Sequence, residues 1–211
     1  MSSATLVKVC GIANVADAFA AVEAGADMLG FVFAESPRRV DVNTVKHIQQ
    51  AVGPDVITVG VFTDESDDIL LTMEHCGLAY AQLHGGQSEA FARRIGCSQV
   101  IRVARVNDED SIKKLAEYQE ASFYLLDTYK KGVPGGTGET FDWDLALQAK
   151  SLAKPIILSG GLNPENAGEA VRTVRPYAVD VSSGVEESPG RKDHVKIQEF
   201  IQHVREADTA S

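Results

Sequence analysis

The sequence predicts an α/β protein built as a (β/α)8 (TIM) barrel, and three observations carry that expectation. Apolar runs rich in Val, Ile, Leu and Phe alternate with helical patterns eight times along the 211 residues. The runs recur at roughly 25-residue intervals, the length that a strand, a helix and two short loops require. Most of them are continuously apolar, as strands covered on both faces must be. The competitor is an open doubly wound sheet. That fold usually has fewer strands and a Gly-rich turn after the first, whereas Cys10-Gly11-Ile12-Ala13 is not G-x-G-x-x-G.

The first strand is 6–10, and it stops at Cys10 before Gly11. Asn14 caps the first helix, Asp17 sits in its first turn, and Gly25 ends it. Strand 28–33 is followed by a helix capped by Asp41 and closed by Gly53-Pro54. Strand 56–62 leads to a helix between Ser66 and Gly77, and strand 80–84 leads to helix 87–95, ended by Gly96. Strand 100–104 precedes helix 108–120. Strand 123–127 precedes helix 142–149 across the longest loop, 128–140. That loop holds Gly132, Gly135, Gly136 and Gly138, a composition that suits either a mobile lid or a flexible connector. Strand 155–159 leads to a helix opened by Asn163-Pro164-Glu165, with Asn as cap and Pro at the first helical position. Strand 178–182 and helix 192–207 complete the series. No linker or shift in composition divides the chain, so a single domain over 1–211 is expected.

A hydrophobic fraction of 44% is enough for one sizeable core. The formal net charge of −10 disfavours nucleic acid and anionic membranes as partners, because both recruit basic surfaces. It leaves room for a small anionic substrate, since a pocket can be locally positive on an acidic protein. No apolar run approaches the roughly 20 residues of a membrane span. Met1-Ser2-Ser3-Ala4-Thr5 lacks the basic and apolar regions of a secretory signal, so a cytoplasmic location is expected. Cys10, Cys76 and Cys97 are odd in number and form no C-x-x-C pair, which indicates neither a disulfide framework nor a zinc site. Cys76 and Cys97 fall near helix ends, where packing is the expected role.

In a barrel, ligands bind at the carboxyl ends of the strands. Cys10 is placed there, and Gly11 after it allows other groups to approach closely. A buried cysteine can equally be packing alone. Asp127 ends the sixth strand; partial desolvation there would raise its pKa and suit it to act as an acid, while the alternative is a loop cap. Ser159-Gly160-Gly161 and Asp180-Val181-Ser182-Ser183-Gly184 end strands seven and eight, the usual phosphate site of such a barrel. A short helix starting near Gly184 would aim its positive end at the same place. The loop Ser36-Pro37-Arg38-Arg39 offers a guanidinium for a carboxylate or phosphate, and one of that pair is expected to be a solvated charge.

These blocks together resemble the phosphoribosylanthranilate isomerases of tryptophan biosynthesis. The resemblance is carried by Lys8-Val9-Cys10-Gly11-Ile12, Gly30-Phe31-Val32-Phe33, Ser36-Pro37-Arg38, Gln82-Leu83-His84-Gly85, Leu125-Leu126-Asp127, Gly135-Gly136-Thr137-Gly138, Phe141-Asp142-Trp143, the run 158–166 and the run 179–186, in order over nearly the whole chain. It implies the barrel fold and an Amadori rearrangement of a phosphorylated aminosugar, with no metal or organic cofactor. It further implies that Asp127 is the general acid that opens the furanose and Cys10 the general base at C2 of the sugar. Arg38 would bind the anthranilate carboxylate, Arg39 falling outside the motif. Gly160, Gly161, Ser183 and Gly184 would lie in the phosphate loops. A monomer or homodimer is expected.

Within that scheme Cys10 needs a lowered pKa, since a free thiol at about 8.5 is mostly protonated at neutral pH. Lys8 shares the inward face of the strand with Cys10, and a buried lysine needs a partner. Asp180, inward on the eighth strand, is the candidate: a Lys8–Asp180 pair would brace the floor, and the Lys8 charge would favour the thiolate. Three rival functions share the fold. A histidine-pathway phosphosugar isomerase would carry Asp where Cys10 stands, and a non-catalytic phosphate-binding barrel would show a degraded acid or base. A metal-dependent epimerase would need several histidines at strand ends, and His84 is the only one so placed.

Overall fold

In the computed structural model, which describes residues 4–128, 142–152 and 154–210, eight parallel strands close into a barrel in sequence order. They are β1 (Leu6–Cys10), β2 (Met28–Val32), β3 (Ile57–Phe62), β4 (Tyr80–Leu83), β5 (Val100–Val106), β6 (Phe123–Thr128), β7 (Ile156–Leu158) and β8 (Ala178–Val181). β8 returns to pair with β1, setting Leu6 beside Ala178 and Lys8 beside Asp180. That closure leaves the barrel no free edge, and with it no row of unpaired backbone groups.

The helices follow the cap chemistry. α1 (Val15–Ala24) starts where the Asn14 side chain accepts the Asp17 N–H, and stops at Gly25 in the left-handed region. α2 (Val42–Val52) and α3 (Asp67–Cys76) begin after Asp41 and Ser66. α4 (Glu89–Ile95) starts two residues later than expected, because Ser88 is the cap. Gln87 instead buries its amide, accepting from Gly85 N–H and donating to the Phe62 and Asp64 carbonyls. α5 (Glu109–Glu117) ends early at Tyr118, which takes extended backbone and lies under the Arg102 guanidinium at 4.3 Å. α6 (Trp143–Ala149) follows Asp142, and α7 (Pro164–Val174) opens on a reciprocal Asn163–Asn166 capping box. Before α8 (His194–Thr209) lies a hairpin the sequence did not announce, β9 (Glu186–Ser188) with β10 (Arg191–Lys192). Lys192, expected as the first residue of the last helix, is therefore a strand residue. From residue 129 onward the 128–140 loop, with Gly132, Gly135, Gly136 and Gly138, lies outside the described residues.

Two apolar layers result. One fills the space between strands and helices. The other, Met28, Val59, Ile101, Val103, Leu125, Ile157 and Ala178, plugs the barrel interior. Each of these side chains larger than alanine contributes about 1.5–3 kcal/mol when fully buried. Among the described residues no helix is long and apolar enough to cross a membrane.

Candidate active site

Strand periodicity builds the site. Inward positions recur every second residue, so a strand that starts with an apolar plug residue can end with a polar one on the same face. β1 runs Leu6, Lys8, Cys10; β6 runs Phe123, Leu125, Asp127; β8 runs Ala178, Asp180, then Ser182 beyond its end. The polar ends surround a cavity of about 260 Å³ at the carboxyl face of the barrel. Cys10 and Asp127, 7% and 6% exposed, both line it. Arg38, Gly160, Gly161, Asp180 and Ser183 line it too. Gly184 stands just behind the wall, where a Cβ would collide with the Leu162 carbonyl oxygen. The missing side chain is what lets the loops after β7 and β8 touch.

The loop after β7 is fixed from α7: Asn166 Nδ2 donates to the Gly161 carbonyl at 3.0 Å. The short helix expected near Gly184 is present in its shortest form. It is a single 3-10 turn, Ser183–Val185, after which the chain enters β9. One turn aligns too few peptides to sum into a macrodipole, so an anion here would rest on loop N–H groups and small side chains.

The floor is the Lys8–Asp180 pair. Lys8 Nζ donates to Asp180 Oδ1 at 2.7 Å, and Ser159 Oγ donates to Oδ2 at 3.0 Å. Lys8 is wholly buried. Burial is the strongest single influence and would lower its pKa, but the charges of Asp180 and Cys10 and the hydrogen bonds to both together outweigh it and hold the ammonium above the usual lysine range. Both oxygens of Asp180 are thus engaged with protein groups. Lys8→Met is expected to lower the unfolding free energy by about 3–5 kcal/mol in chemical denaturation, because it strands Asp180 in the interior. Adding Asp180→Asn should recover part of that loss.

The expected lowering of the Cys10 pKa is not what the site does. Burial is the strongest influence and pushes the thiol up, and Asp180 adds to it. Lys8 and Lys192 pull the other way, as expected of cations, without overcoming burial. The balance favours the thiol over the thiolate.

Asp127 is held from two sides. Its Oδ1 accepts from the Thr128 N–H at 2.9 Å, and His84 Nε2 stands 3.3 Å from Oδ2. Gln82 Nε2 lies 3.2 Å from His84 Nδ1, the arrangement that puts the imidazole N–H on the Asp127 side. From sequence, His84 reads only as a lone metal-ligand candidate. Its signal was the same period of two: Tyr80, Gln82 and His84 share the inward face that ends at the cavity.

Arg38 lines the cavity, but its guanidinium is already partly engaged. Nε and Nη2 donate to Glu186 at 2.8 and 2.7 Å. Glu186 also accepts from Lys192 Nζ at 2.9 Å. Glu186 ends the run 179–186 that carries the resemblance and Lys192 falls at the expected start of the last helix, and the sequence assigns neither a role.

The comparisons with known proteins agree on one family. The family model for N-(5'phosphoribosyl)anthranilate (PRA) isomerase matches residues 7–203. The N-(5'-phosphoribosyl)anthranilate isomerase of Pseudomonas fluorescens (strain Pf0-1) is 49% identical over 207 residues, covering 96% of this chain and 100% of that protein. The crystal structure of phosphoribosyl anthranilate isomerase from Thermotoga maritima superposes with a TM-score of 0.88 at 40% identity, covering 96% of this chain and 99% of that one. A phosphoribosyl anthranilate isomerase solved in complex with reduced 1-(o-carboxyphenylamino)-1-deoxyribulose 5-phosphate superposes with a TM-score of 0.85 at 39% identity, covering 96% and 99%.

Proposed function

The chain belongs to the N-(5'-phosphoribosyl)anthranilate isomerase family, and from that premise we propose how its residues divide the reaction. The enzyme converts N-(5-phosphoribosyl)anthranilate to 1-(2-carboxyphenylamino)-1-deoxyribulose 5-phosphate in tryptophan biosynthesis. In our reading Asp127 is the general acid. It gives a proton to the furanose ring oxygen as the C1–O bond breaks, and the nitrogen lone pair forms the C1=N Schiff base. Cys10, as thiolate, then takes the proton from C2. The C2–H electrons form the C1=C2 bond of an enolamine, and the iminium nitrogen recovers its lone pair. Tautomerisation moves a proton to C1 and leaves the C2 ketone. Every step is a proton transfer, so the scheme calls on no cofactor.

Arg38 takes the anthranilate carboxylate, and the loops of Gly160, Gly161, Ser183 and Gly184 take the phosphate. Asp180 acts from beneath, holding Lys8 and Ser159 in place. His84 orients the Asp127 carboxyl group. One domain over 1–211 carries the activity, in the cytoplasm, where free thiols persist. The observation that supports this division best is that Cys10 and Asp127 face one cavity.

A pH profile tests it, using freshly made substrate and following the loss of anthranilate-type fluorescence. The base must be deprotonated, and burial raises the Cys10 pKa. Because the scheme needs a protonated Asp127 and an ionised Cys10 together, kcat/KM should follow a bell whose falling, basic limb sets in only above the ordinary thiol range, about 8.5. A basic limb that sets in at or below about pH 8.5 would show that no thiol of raised pKa governs the reaction.

A further inference from the structure

The β9–β10 hairpin has no task in the scheme above, yet its side chains reach the cavity wall. Glu186 is buried, and its two oxygens meet Nε and Nη2 of Arg38 in a fork-to-fork contact. Lys192 is buried as well; its Nζ donates to Glu186 Oε1 and, at 3.0 Å, to the Ser182 carbonyl. The hairpin is anchored on both sides. The Lys192 N–H donates to Asp17 Oδ2 of α1 at 3.1 Å, and Gly190 packs so closely on the Arg38 loop that a Cβ would stand 2.7 Å from the Pro37 carbonyl oxygen. The Arg38 stem itself lies over Gly11, where a Cβ would come within 2.6 Å of Cδ.

We propose that Glu186 and Lys192 together are positioning residues that set the plane of Arg38 and so select substrates bearing a carboxylate on the aromatic ring. This rests on the reading of Arg38 as the carboxylate anchor. Glu186 fixes one edge of the fork and leaves the Nη1 side for a ligand. An Arg–Glu pair by itself would be neutral and would offer a second carboxylate little attraction. Lys192 supplies the missing charge: two cations and one anion leave the cluster with a net single positive charge, the complement of one ring carboxylate. Burial would raise the Glu186 pKa, but the Arg38 hydrogen bonds and the Lys192 charge outweigh it and keep the carboxylate ionised.

The test is a ratio of dissociation constants by calorimetry. The probes are reduced 1-(o-carboxyphenylamino)-1-deoxyribulose 5-phosphate and the same compound without its ring carboxylate. Wild type should prefer the first. Arg38→Met should abolish the preference. Glu186→Gln makes the cluster more positive, which by charge alone would strengthen the preference; loss of the fork geometry should nevertheless cut it on the order of 10-fold, the worth of one charge-assisted hydrogen bond, while binding of the carboxylate-free probe changes by less than about twofold. Lys192→Met should cut it in the same sense. If Arg38→Met removes the preference and Glu186→Gln does not, Glu186 has no positioning role. Equal weakening of both probes by Glu186→Gln would mean a purely structural role and overturn the proposal. An undiminished preference in Arg38→Met would refute the anchor reading and the proposal with it. Should Glu186→Gln fail to fold, Glu186→Asp, which withdraws the carboxylate by one methylene, should show a smaller loss in the same direction; an unchanged preference there overturns the proposal too.

Discussion

Replacing Cys10 by alanine is expected to lower kcat by about 10²- to 10⁴-fold, the usual contribution of a positioned base. The C2 proton needs an acceptor on the cavity wall. The other ionisable groups near it are committed: the Lys8 ammonium to Asp180, and Asp180 to Lys8 and Ser159. Alanine fits the space, so the phosphate loops and Arg38 should stay in place. Affinity for reduced 1-(o-carboxyphenylamino)-1-deoxyribulose 5-phosphate should then change little, while turnover falls. Loss of turnover without loss of binding is the signature of an interaction made only in the transition state. The same variant should still open the furanose, so the substrate's anomers should interconvert while C2–H exchange with deuterated solvent stops. Turnover within about threefold of wild type, well short of the range for a lost base, would remove Cys10 from the mechanism.

Asp127→Asn is expected to lower kcat by a similar factor, about 10²- to 10⁴-fold, at an earlier step. Asparagine is nearly isosteric and can keep an oxygen for the Thr128 N–H, which Asp127 Oδ1 accepts at 2.9 Å. What it lacks is a transferable proton. Without ring opening there is no Schiff base, and without a Schiff base C2–H is not acidic. Anomer interconversion and C2–H exchange should therefore both stop, in contrast to Cys10→Ala. If Asp127→Asn opened the ring at the wild-type rate, another acid would have to be sought, and His84, 3.3 Å from Oδ2, would be the first to examine.

Placement of Cys10 and Asp127 on one cavity was legible before any coordinates. Both are the last inward residues of apolar strands, and a parallel barrel puts every such end on one face. The Lys8–Asp180 pair was legible for the same reason: strand register joins β1 to β8, and the alternation of side chains decides which residues face inward. His84 was visible in principle by that rule and was missed because it was weighed for metal binding alone.

The spacing of apolar runs, the caps Asn14, Asp41, Ser66 and Asn163, and the period-two faces that carry Cys10 and Asp127 were determined by the sequence itself. These depend on residues a few positions apart, where backbone geometry alone dictates who meets whom. The protonation of Cys10 and the partner of Arg38 were decided only by tertiary structure. The thiol is governed by how completely the closed barrel excludes water, and Arg38 meets Glu186 from 148 residues away through a hairpin that carries no local signal. Desolvation and long-range charge are properties of the assembled interior, and no stretch of chain contains them.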